Sequence, residues 1–233
     1  MFLVLTLAGS ALAQIDAQSQ ALLDGIAAQQ GPEVETVDQT MVMTIFNDGE
    51  EIVTSTRTVI DYVNRRAVIF TDMGGGMMAR MVHVDGATTM RMEGMPMAMP
   101  LPPGMGAAFD TIFDRAGTLS DDPNATAVYD GQVSYGDILS GQQVTYTATY
   151  DESGTETVSR LIFDAGGQYI GSVVDGTDGN LIIMVFDPPT DGNLLTGRGM
   201  TLYDFKDGVA TKTTHTGYEN VVINQPLDEA LFE

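Results

Sequence analysis

Fifteen methionines stand in a chain with no cysteine, no tryptophan and two histidines, and ten of the fifteen fall between residues 73 and 105. A thioether on an unbranched, polarizable side chain suits two kinds of chemistry. It lines surfaces that accept apolar partners of variable shape, and it ligates soft ions, Cu(I) above all. Residues 77–84 read as a strand, Asp85-Gly86 as a tight turn and residues 88–92 as a second strand. Arg80 and Arg91 are expected to face solvent, because a lone buried guanidinium is costly. Period-two alternation then sets Met77, Ala79, Met81 and His83 on the opposite face, with Met90 and Met92 beside them on the second strand. Residues 94–104 are broken by Pro96, Pro100, Pro102 and Pro103, so they read as neither regular strand nor helix.

These residues predict a methionine-lined pocket with a flap. Met77, Met81, Met90 and Met92 line it beside His83, and Met95, Met97 and Met99 close it, hinged at Gly94, Gly104 and Gly106. Three alternatives stand beside this reading. Methionine can replace leucine in an ordinary core. Met95, Met97 and Met99, with Met90, Met92 and His83 close by, offer a Cu(I) site. An exposed methionine loop can also dock on another protein without holding any ligand.

Catalytic chemistry finds little support. A Ser-His-Asp or Cys-His arrangement would have to use His83 or His215, and Ser134, Ser140 and Ser159 sit in no G-x-S-x-G context. Asp121-Asp122 reads as a solvated loop pair. Residues 175–180 resemble half a calcium loop, but the distal glutamate is absent, so a plain turn is expected. His83 reads as an inward core histidine and His215 as an exposed strand residue. The chain is therefore read as a non-enzyme, with no cofactor and no metal assigned.

The elements that must position the methionines follow from the rest of the chain. Residues 16–30 carry Ala17, Ala21, Leu22, Ile26 and Ala27 at helical spacing, ended by Gly31-Pro32. Strands follow at 40–46, 52–62 and 65–71, with Asn47-Asp48-Gly49-Glu50 as a hairpin turn. Residues 107–116 read as a short helix with Phe109, Ile112 and Phe113 on one side, and Phe109 and Phe113 join the expected ligand contacts. Further strands lie at 142–150, 157–164, 169–174, 181–186, 200–205 and 209–218, and the tail ends on a short amphipathic turn. About ten strands in antiparallel meanders curl rather than stay flat. The predicted fold is mostly β with α: a strongly curved antiparallel sheet forming an unclosed barrel, covered by the N-terminal helix and the short mid-chain helix.

Residues 1–13, MFLVLTLAGSALA, combine an apolar run with the small-residue pattern Ala11-Leu12-Ala13, as a secretory signal does, although a basic leader is missing. The segment is too short to span a bilayer. Export to the periplasm or beyond is expected, with residues 14–233 as a single domain. The formal charge is −22, from 32 acidic and 10 basic residues in 233. Such a surface repels phosphates, which argues against nucleic acid and against anionic membrane surfaces as partners.

This order of elements resembles the LolA/LolB-like periplasmic lipoprotein-carrier superfamily. The segment Met81-Val82-His83-Val84-Asp85-Gly86-Ala87-Thr88-Thr89-Met90-Arg91-Met92 looks like the family's strand, Asp-Gly turn and strand. Residues 218–232 are similar to the end of its lipoprotein-sorting members. Methionines stand where the family's second strand carries aromatics, and the Arg-Pro pair common after the second strand is not found at Arg65-Arg66. The resemblance implies an unclosed β-barrel whose helix-covered cavity takes a lipid or lipoprotein acyl chain, exchanged with a membrane-associated donor or acceptor protein.

Overall fold

The computed structural model describes residues 15–29, 33–47, 49–72, 77–92, 99–100, 113, 119, 125–149, 156–188 and 198–233. Helix α1 (Ala17–Gln29) starts where Asp16 takes the N-cap position. Its Oδ1 accepts from the Gln18 and Ser19 backbone N–H groups, and its Oδ2 from the Ser19 hydroxyl and the Tyr129 N–H. One side chain thus satisfies orphan donors of the first turn and ties the helix to a strand distant in sequence.

The strands in chain order are β1 (Thr36–Asn47), β2 (Glu50–Asp61), β3 (Arg66–Asp72), β4 (Met78–Val84), β5 (Ala87–Met92), β6 (Met99–Pro100) and β7 (Thr126–Tyr135). They continue as β8 (Leu139–Thr149), β9 (Glu156–Phe163), β10 (Tyr169–Asp175), β11 (Leu181–Phe186), β12 (Met200–Lys206) and β13 (Val209–Ile223). All thirteen form one antiparallel sheet in the order β6-β5-β4-β3-β2-β1-β13-β12-β11-β10-β9-β8-β7. The edge strands β6 and β7 do not pair, so the sheet is an unclosed half-barrel. Register shifts at Asp38/Thr40, Tyr129/Gly131, Tyr169/Gly171 and Leu202/Tyr203 are bulges, and each adds local bend and twist to such a sheet.

Several expectations are met and several are corrected. Asp85-Gly86 makes the tight turn read from sequence, and Asp207-Gly208 makes a second one between β12 and β13, all four residues having positive φ. β1 begins earlier than expected and β13 runs to Ile223, because the last strand pairs along the whole of the first. β7 was not foreseen as a strand. The tail closes in a 3-10 turn, Glu229–Phe232. Of the expected helix at 107–116, only Phe113 lies within the described residues. There the backbone is helical and the side chain buried.

Each face of the sheet is covered in its own way. On the inner face, Leu23 and Ile26 of α1 pack with Ala125, Ala127, Val144, Tyr146, Ala148, Leu161 and Phe163, and Phe113 packs with Val37, Ile60 and Ala67. Fully burying a leucine, isoleucine or phenylalanine contributes about 1.5–3 kcal/mol each, which holds α1 down. On the outer face, Leu139, Ile162, Val173 and Ile183 form one cluster. Phe232 forms another with Val59, Val68 and Val82.

That outer cluster corrects the expectation for Arg80. Arg80 and Arg91 stand directly opposite each other, an unfavourable like-charge pair. Only Arg91 is exposed. Arg80 instead donates to the backbone carbonyls of Ala230 and Leu231 and lies over the Phe70 ring at 6.0 Å. Nearby, Arg66 pairs with Asp61 at 2.9 Å and Glu229 at 2.5 Å and stacks 4.2 Å from the Phe232 ring. The C-terminal segment is thereby strapped across β2–β4.

Candidate functional site

Paired residues of antiparallel strands point to the same side of a sheet, so the register traces the inner face from edge to edge. Met99 pairs with Met90, Met90 with Met81, Met81 with Ile69 and Ile69 with Thr58. A neighbouring row runs Met92, Ala79, Thr71, Thr56, Met41, Tyr218. A third runs Thr54, Met43, Thr216, Met200, Phe186. Leu202 pairs with Met184. Met81, Met90 and Met92 therefore share a face with Met41, Met43, Met184 and Met200. All seven are neither fully buried nor fully exposed. They lie on β1, β4, β5, β11 and β12, in rows where threonines are the other main residue type.

Met81 packs against the cluster that contains Phe113. His83 is 2% exposed, its Nδ1 lies 2.8 Å from the Thr88 hydroxyl, and its ring is 5.5 Å from that of Phe113. It is held in the core under Phe113. Met77 precedes β4 and is 51% exposed. Met99 is placed by its register alone. Met95, Met97 and Phe109 lie outside the described residues, as do the hinge glycines and the proposed signal at 1–13. Among the described residues, no group of three or more His, Asp or Glu is placed to hold a metal ion. No described helix is long and apolar enough to cross a membrane.

Met41, Met43, Met184 and Met200 were missed in the sequence. Met41 and Met43 carried a signal, two methionines at strand spacing beside a strong hairpin turn. Met184 and Met200 carried none, since only register reveals their row. His215 sits on the outer face, its Nδ1 3.0 Å from the Thr201 hydroxyl and its Nε2 3.9 Å from Asp187.

Where β9, β10 and β11 meet, the inner face carries an aromatic ladder. The rings of Phe163 and Tyr169 are 5.6 Å apart, and those of Tyr169 and Phe186 are 5.2 Å apart. Gln29, at the end of α1, donates to the Gly167 carbonyl at 3.3 Å and accepts from the Tyr169 N–H at 3.0 Å, so the helix end is fastened to the same corner.

An open half-barrel with a helix on its concave side belongs to a class of fold that can hold an elongated apolar molecule. No protein-family model and no curated protein sequence matches the chain. Among solved structures it is similar to a DUF1329 family protein from Desulfovibrio piger, at 12% identity and TM-score 0.54, with 92% of this chain and 95% of that one covered. It is similar to a putative outer membrane lipoprotein-sorting protein domain from Vibrio parahaemolyticus, at 11% identity and TM-score 0.52, covering 91% and 95%. A LolA superfamily protein from Nitrosomonas europaea gives 12%, 0.50, 92% and 96%. The fold is LolA/LolB-like.

Proposed function

We propose that this chain is an exported carrier or binding protein, periplasmic or secreted, that holds a lipid, a lipoprotein acyl chain or another apolar ligand on its inner face. Residues 1–13 would serve as the export signal and residues 14–233 as one carrier domain. The observation that carries the reading is the row-by-row alignment of half-buried methionines on the face that α1 covers at one end. Unbranched thioether side chains re-pack around chains of different length and branching. Each methylene moved from water onto this face contributes about 0.8 kcal/mol. The fold shared with a lipoprotein-sorting domain supports the same reading, and a membrane-associated donor or acceptor protein would be the partner. In this proposal Met81, Met90 and Met92 line the site, Met95, Met97 and Met99 close it, Phe109 is a further ligand contact, and Met77 stands at its rim. Phe113 and His83 form its wall.

The test is native mass spectrometry on the chain from Gln14 onward, purified without detergent, followed by extraction of whatever is bound. A co-purifying lipid is expected, and Met81→Asp with Met90→Asp should release it while circular dichroism stays that of the parent. A protein that is empty, and remains empty after incubation with dispersed lipid, would overturn the proposal.

A further inference from the structure

Arg198 stands out from the other described cations. By strand register Arg57, Arg66, Arg80, Arg91 and Arg160 lie on the outer face, and Arg57, Arg66 and Arg160 are each within 3.0 Å of a carboxylate. Arg198 is on the inner side, its guanidinium 5.4 Å from the centre of the Phe186 ring, and only 8% of the residue is exposed. It donates to two backbone carbonyls, those of Asp187 and Tyr169, the latter at 3.0 Å. An arginine has five N–H donors, so most of its donors are left over, and among the described residues no carboxylate forms an ion pair with it. Burial lowers its pKa, and the charges of Asp187 and Asp164 oppose that without outweighing it. A largely buried cation with spare donors and no ion-paired carboxylate is costly. It is also the arrangement that a ligand anion would complete with charge-assisted hydrogen bonds.

We propose that Arg198 receives the anionic headgroup of an acyl lipid, a phosphate or carboxylate, whose chain then runs along the methionine rows. This rests on the carrier reading and deepens it. The row Phe186, Met200, Thr216, Met43 begins at the ring that Arg198 overlies. With strands about 4.8 Å apart, β12 lies roughly 24 Å along the sheet from Met81 on β4. That length suits a long acyl chain. The strongly acidic surface opposes docking on an anionic membrane, while one shielded arginine selects a single anionic molecule already desolvated from it.

Binding of three probes to the purified chain decides the matter: 1-oleoyl-lysophosphatidylglycerol, monoolein with the same acyl chain but no charge, and inorganic phosphate alone. The charged lipid should bind about tenfold or more tightly than monoolein, and phosphate alone only weakly. Arg198→Met should erase that preference and leave monoolein affinity within about twofold, and Arg198→Lys, which keeps the charge, should retain part of it. Retained monoolein binding also shows that the Met variant is folded. Equal binding of both lipids with no effect of Arg198→Met would overturn the headgroup assignment and leave the carrier standing. Phosphate binding as tightly as the charged lipid would overturn it in favour of a free-anion site. Failure of both lipids to bind would overturn the headgroup assignment, and together with an empty protein in native mass spectrometry it would remove the carrier reading as well.

Discussion

Asp16 shows how much one side chain can organise. Its carboxylate accepts from the backbone N–H of Ser19 first, then from the Ser19 hydroxyl and the Tyr129 N–H, which together hold its pKa at about 2 against an ordinary 3.8. A folded-state value below the unfolded one means a contribution to stability that is fully present above pH 3.8 and is lost as pH falls through about 2. Comparison with Asp16→Asn, which keeps an acceptor but no charge, isolates the effect. The parent should melt higher by a constant margin at neutral pH, and the margin should shrink toward zero as thermal melts are repeated down to pH 2. A margin independent of pH would show that the charge is irrelevant. Asp61 responds in the same sense: burial pushes it up, but hydrogen bonds from Asn64 and Arg66 outweigh that and lower it. The sequence placed Asp16 at the helix start correctly. It did not disclose Arg198, because an arginine between two strands looks alike whether it lies in solvent or beneath a ladder of rings.

The hairpins were legible where turn chemistry and alternation agreed. Asp85-Gly86 fixed the pairing of Met81 with Met90, and from that pairing the shared face of Met90, Met92 and Met81 followed. β7 was obscured because Val128, Tyr129 and Val133 alternate across a bulge at Tyr129/Gly131, which breaks the period-two signal. The tail was seen as amphipathic, but its place on the outer face depends on Arg66 and Arg80, more than a hundred residues earlier. Tight strand contacts were invisible as well. A Cβ on Gly141 would lie 2.2 Å from the Phe163 carbonyl oxygen, a backbone atom that cannot move aside without disturbing β9. Gly141→Ala should therefore cost about 1–3 kcal/mol in a urea melt. At Gly208 a Cβ meets nothing within 4 Å, and only its φ of +81° resists substitution, so Gly208→Ala should cost roughly 1 kcal/mol. Equal losses at the two sites would argue against the close β8–β9 approach.

At the scale of the whole molecule the strand order is a walk outward and a walk back. The chain begins at the centre with β1, reaches one edge at β6, resumes at the opposite edge with β7 and returns to β13 beside β1. Every pairing between the thirteen strands joins consecutive ones except the β1–β13 seam, where Val37 meets Ile223. Local hairpins close at small entropic cost, whereas a seam between such distant residues must wait for a long loop to close. Pulse-labelled amide exchange during refolding should protect β2–β5 and β8–β11 before the amides of Val42 and Thr44, which face β13 across the seam. Simultaneous protection would refute this order. The seam is also where Met43 is brought into line with Met200, so the floor of the proposed site is continuous only after residues 209–223 have paired. A polypeptide emerging from the ribosome carries every inner-face methionine before that strand is made. Until then it has two partial floors and two open edges, and the period before release is when it would most need a chaperone and could least hold a cargo.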